Sequence, residues 1–160
     1  MSGVPVAIDL DGALGDTREL WDDFLEHVAR RFQTIAELDV AALPTDRGAA
    51  ADELDRWGER GIGDWRGQLE RFAEDHAPVY LRPDAAASAA LRALQAGGAR
   101  IGVFTDAPAE LARVALAQLG AARRVDALEC GTGARERLLA ALGTGAAVVA
   151  TRAELSARAG

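Results

Sequence analysis

The chain has 160 residues, a formal net charge of −7 and one cysteine, Cys130. That length supports one domain with a real core. The acidic balance, without a basic stripe or a base-stacking aromatic cluster, argues against a nucleic-acid binder. A lone cysteine excludes a disulfide framework and a cysteine metal site. No apolar stretch reaches membrane-spanning length and no signal pattern opens the chain, so the expected setting is a reducing cytoplasm with no membrane contact. All 18 basic residues are Arg, so any cationic role falls to Arg.

The apolar run before Asp9 predicts a buried strand over 4–10. Residues 17–82 read as helical. Leu20, Trp21, Phe24, Leu25, Val28 and Phe32 recur at helical spacing, with Asp22, Asp23, Glu26 and Arg30 opposite. Pro44 breaks this run, and 49–57 and 64–72 are two further amphipathic stretches. Trp21, Trp57 and Trp65 are expected to pack the small core of this region. His27 and His76 are expected at its surface or boundary.

The grammar changes after residue 82. Asp84 caps a helix to about 96, stopped by Gly97-Gly98. Then follow a strand over 100–105, a helix over 108–119, a short strand over 125–129, a helix over 135–142, a strand over 146–150 and a helix over 151–159. Strands alternating with helices of this length predict a parallel sheet with crossover helices. The α/β part thus comprises 1–16 and 83–160, interrupted by a helical insert over 17–82.

The chemistry centres on Asp9-Leu10-Asp11-Gly12, where the first strand ends. Two carboxylates two residues apart can divide into nucleophile and acid/base, or together anchor a divalent cation. Gly12 allows the tight turn. The same residues also suit plain turn formation and helix capping. Three later loops are expected to cluster with Asp9. Thr105-Asp106 ends a strand beside a helix N-terminus, where a hydroxyl can hold a phosphate oxygen; Asp106 is equally a good N-cap. Arg135 or Arg137 can neutralise a phosphate or pair with a carboxylate, or be a solvated helix-start residue. Thr151 and Glu154 form a capping-box pattern, with a metal role open to Glu154. Cys130 reads as a buried structural thiol.

Together these residues resemble phosphatases of the haloacid dehalogenase superfamily that carry a helical cap, similar to phosphoglycolate phosphatases. The first motif is Asp9 to Thr17, with Ala13 where the family usually has Thr. Thr105 matches the second motif, and Arg135 or Arg137 would stand for the third, usually Lys. The resemblance implies a Rossmann-like α/β core, a parallel sheet with flanking helices, and a small all-helical cap over 17–82. It implies Asp9 as the nucleophile that becomes an aspartyl-phosphate. Asp11 would be the acid and then the base. Mg²⁺ would be bridged by Asp9, the Asp11 carbonyl and the phosphate. Gly12, Thr105, Asp106 and Arg135 or Arg137 would face a small phosphorylated molecule. The family's fourth motif supplies acids where this chain has Thr151, with only Glu154 nearby. Either Glu154 or Asp106 compensates, or Mg²⁺ binds mostly with substrate, or the chain is a binding or regulatory module without turnover.

Overall fold

The computed structural model describes residues 3–35 and 38–160. A four-stranded parallel sheet runs in the order β3-β2-β1-β4, with β1 Val6–Asp9, β2 Ile101–Thr105, β3 Ala127–Cys130 and β4 Ala147–Val149. The strands are shorter than the apolar runs suggest, because only residues with a partner across the ladder pair. β1 lies between β2 and β4, with Asp9 in register with Phe104 and Ile8 with Val149. The acidic end of the chain's first strand therefore sits at the carboxyl edge of a central strand. That is where open α/β sheets place ligands.

Helices α1 Arg18–Arg31, α2 Arg47–Trp57 and α3 Trp65–Tyr80 follow β1. Helices α4 Ala85–Ala96, α5 Ala109–Gln118, α6 Ala134–Leu142 and α7 Arg152–Ala159 alternate with the remaining strands. Capping carboxylates fix three of the starts. Asp46 accepts from Ala49 N–H at 2.8 Å, Asp64 from Gly67 N–H at 3.1 Å, and Asp84 from Ala87 N–H at 2.8 Å. α3 runs eight residues past the 64–72 stretch. Its buried face continues through Ala73 and Ala77, which are too small to mark a stripe by hydropathy, and Pro78 lies in its last turn.

One face of the sheet is covered by α4, α5 and α7, and Val6, Ile8, Ile101 and Val103 point into that layer. The same buried cluster continues into the insert through Leu20, Trp21, Phe24, Trp65 and Leu69, with α3 lying along α5. Trp21 meets Trp65 edge-on at 6.4 Å between ring centroids. The opposite face is thinner. Ala7 and Phe104 pack there against Ala134, Leu138 and Leu142 of α6. A continuous apolar layer under both insert and sheet fixes where the insert's polar residues meet the strand ends.

Candidate active site

The site begins with the turn after β1. Residues Leu10–Leu14 form a wide loop closed by Gly15 N–H to the Leu10 carbonyl at 3.1 Å. Gly12 has φ 122°, and a Cβ there would lie 2.7 Å from the Ala150 carbonyl oxygen. Only glycine fits both the backbone and the space. The turn leaves Asp9 and Asp11 on one side of the loop. One Asp9 oxygen accepts from the Asp11 N–H at 3.1 Å. Partial burial, and then the charge of Asp11, push the Asp9 carboxyl up to about 6.

Asp11 is held more tightly. One of its oxygens accepts from Thr17 N–H at 2.8 Å and from the Thr17 hydroxyl at 2.7 Å. The other accepts from the Thr105 hydroxyl at 2.8 Å and from Nη2 of Arg47 at 2.5 Å. Thr17 and Thr105 are fully buried, which makes these bonds a fixed frame rather than a surface contact.

Arg47, at the start of α2, is the site residue that motif spacing does not reveal. It is 4% exposed. Its guanidinium donates to Asp11, to the Thr17 hydroxyl at 2.7 Å, and through Nε to Asp106 at 2.9 Å; its backbone N–H reaches the other Asp106 oxygen at 3.0 Å. Its neighbours seat the helix: the Thr132 hydroxyl donates to Asp46, and a Cβ on Gly48 would lie 2.2 Å from the Thr132 nitrogen. Gly48 lies just before the predicted 49–57 stretch but inside the first turn of α2, where glycine is costly unless another backbone comes close. Asp106 thus binds the insert instead of capping α5, whose N-cap position is taken by Pro108.

The resulting cleft, about 380 Å³, is lined by Asp9, Asp11, Arg18, Arg47, Thr105, Asp106, Gly131, Arg135 and Glu136 among others. Arg135 lies at its exposed rim. Arg137 points elsewhere, donating to the carbonyls of Thr132 and Cys130, both at 2.5 Å, and to Glu129 at 3.2 Å. Arg18 pairs with Asp16 at 2.6 Å. On the β4 side, Thr151 Oγ1 accepts from Glu154 N–H at 3.1 Å, while the Glu154 carboxylate accepts from Ala150 N–H at 2.9 Å. Both side chains serve the start of α7, and Glu154 does not line the cleft. Burial pushes the Cys130 thiol up to about 11, so it stays protonated. His27 and His76 flank Phe72 on the insert and stand apart from the carboxylates.

The donor set suits a hard cation in one specific sense. Asp9 carries a carboxyl raised by burial and by a second negative charge, which a cation would relieve. Among the described residues, no three His, Cys, Asp or Glu side chains are grouped to hold a metal. Mg²⁺ is commonly held by one or two carboxylates together with substrate phosphate and waters, and this arrangement fits that mode rather than an all-protein cage.

A parallel α/β sheet, two acids at the edge of its central strand and a helical insertion behind that strand define the class of protein. The chain has the fold of the haloacid dehalogenase superfamily. It is similar to the crystal structure of a Thermotoga maritima protein assigned as a beta-phosphoglucomutase, with TM-score 0.54 and 16% identity over 98% of this chain and 82% of that one. It also aligns with a haloacid dehalogenase phosphatase from Thermococcus onnurineus at TM-score 0.49 and 20% identity, covering 80% of this chain and 62% of the other. No protein-family model and no curated protein matches the chain.

Proposed function

We propose that the protein is a phosphomonoesterase of the haloacid dehalogenase type, acting on a small phosphorylated molecule with Mg²⁺, its α1–α3 insert serving as the cap. The observation that carries this reading is the pair Asp9 and Asp11 at the end of β1, the second acid being framed by Thr17 and Thr105. In this reading an Asp9 oxygen attacks phosphorus and the bond to the leaving oxygen breaks. Asp11 supplies the proton that the leaving oxygen takes up. Asp11 then accepts a proton from water, whose oxygen attacks phosphorus. The bond to Asp9 breaks and inorganic phosphate leaves. Thr105 and Arg135, which line the cleft, would hold phosphoryl oxygens. A Mg²⁺ ion held by Asp9, the Asp11 carbonyl and the phosphate would neutralise charge on the transferring group.

The test is hydrolysis of a generic aryl phosphate in Mg²⁺ by the wild type and by Asp9→Asn. Turnover that Asp9→Asn abolishes supports the enzyme. A second reading, a binding module without turnover, is favoured by one observation: Thr151 and Glu154 are committed to the start of α7. Absence of hydrolysis across a panel of phosphorylated metabolites, with phosphate binding retained, would select it.

A further inference from the structure

We propose that a second chamber, between α1 and the 38–45 segment, holds the organic group of the phosphorylated molecule, and that this group is largely apolar and carries no second negative charge. This rests on the phosphatase reading and names a substrate class for it. The chamber measures about 440 Å³ and shares the walls Arg18, Arg47 and Asp106 with the cleft around Asp9. Beyond those shared walls the two differ. The cleft is lined mainly by carboxylates, a hydroxyl and arginines, the chamber mainly by Trp21, Leu25, Val40, Leu43 and Pro44. An apolar pocket adjoining a charged one fits a ligand with one apolar and one charged end.

Helical spacing supplies one wall. Arg18, Trp21, Asp22 and Leu25 fall at i, i+3, i+4 and i+7 of α1 and so share one face. The other wall, Val40 and Leu43, belongs to the segment leading into α2, and both side chains stay half-buried, as Leu25 does. Apolar side chains left half-buried around one cavity gain when an apolar group displaces the water there. Trp21 adds an independent sign of a ligand. It is 4% exposed, yet its indole N–H has no acceptor among the described residues. Trp57 and Trp65 differ, donating to Glu53 at 3.0 Å and to Asp55 at 2.9 Å. A buried indole N–H ordinarily finds a partner, so this wall is completed by a bound molecule. Charge sets the other limit. Arg18 is paired with Asp16, and Arg47 with Asp11 and Asp106, so both cations at the chamber are already compensated. Asp22 lines it with no ion pair among the described residues. A carboxylate or second phosphate placed there would meet negative charge with no free cation to offset it.

The experiment is calorimetric binding of methyl-, butyl- and hexylphosphonate in Mg²⁺ buffer, run beside hydrolysis of the matching alkyl phosphates. The probes share one charged end and the esters have similar leaving groups, so chain length tests the chamber. Affinity and kcat/KM should rise by up to about fourfold per methylene. A phosphonate of butyl length ending in a carboxylate should bind about tenfold more weakly than butylphosphonate, and Asp22→Asn should narrow that gap. Leu43→Asn and Val40→Asn, at half-buried positions, should flatten the chain-length dependence. A flat wild-type series, a slope that survives in both folded variants, or equal binding of the carboxylate-ended probe would overturn the proposal; hydrolysis of the esters would still uphold the phosphatase reading. Graded phosphonate affinity without any hydrolysis would keep the chamber and remove that reading. A wild type that binds no phosphonate and hydrolyses no ester would remove both. If neither variant folds, the wild-type slope and the carboxylate-ended probe decide.

Discussion

The two sides of β1 are built for different tasks. Towards β2, Thr105, Thr17 and Arg47 donate to Asp11, and Arg47 donates also to Asp106, through bonds of 2.5–3.0 Å that cross between the sheet and the insert. Towards β4, Thr151 and Glu154 turn their polar atoms onto the first turn of their own helix. The first side is the one proposed for phosphoryl and proton transfer. The second is a well-made helix start. Polar residues at neighbouring strand ends thus do not form one site by position alone; what separates them is whether their bonds are long-range or local.

The largest effects should come from the β2 side. Asp9→Asn is expected to abolish turnover of an aryl phosphate. It should also stabilise the fold at neutral pH. The Asp9 carboxyl is raised to about 6 from an ordinary value of 3.8, so the folded state binds its proton more tightly than the unfolded chain does. Its stabilising contribution is complete below about pH 4 and lost as pH rises through 6. Thermal melts of the two proteins should therefore diverge between those values, by on the order of 1 kcal/mol after allowing for solvent screening of a half-exposed group. Melts of the two proteins that run parallel between pH 4 and 6 would break this reading of the Asp9 carboxyl.

Asp11→Asn should slow turnover by about 10²–10⁴-fold with a native circular dichroism spectrum, the usual effect of losing a general acid. Unfolding instead would make Asp11 a turn former. Gly12→Ala joins the two sides, because its Cβ would strike the Ala150 carbonyl at a φ of 122°. A loss of about 1–3 kcal/mol in denaturant unfolding is expected, and a neutral result would show that the β1–β4 contact yields freely.

The smallest effects belong to the β4 side. Thr151→Ala should cost about 1 kcal/mol through the lost cap. Glu154→Gln should leave the Mg²⁺ dependence of activity superimposable on wild type, since Gln serves the same cap. A clear shift in the Mg²⁺ midpoint for Glu154→Gln would erase the contrast between the two sides.

The legible part of this molecule was local. The β1 strand, the acid pair, the glycine turn, the alternating second half and the amphipathic α1 all announce themselves within a few residues. The parallel sheet with crossover helices followed from the alternation of strands and helices. Arg47 was not legible, because its partners lie 30 to 59 residues away and it reads as an ordinary helix-start arginine after the capping Asp46. Asp106 stayed open between cap and site for the related reason that a strand-end aspartate before Pro108 suits either, and its bonds to Arg47 lie 59 residues away. Arg135 and Arg137 were indistinguishable by spacing, and only the carbonyls of Thr132 and Cys130 separate them.

The central claim is that Asp9 is the atom-transfer group. It is tested most directly by acid-quenching Asp11→Asn after mixing with an activated aryl phosphate and Mg²⁺, then mapping the protein by mass spectrometry. The account predicts a phosphoryl increment on the peptide carrying Asp9, absent when Asp9→Asn is added. A phosphoryl group on another residue, or release of phosphate without any adduct from a protein that still turns over, would contradict it.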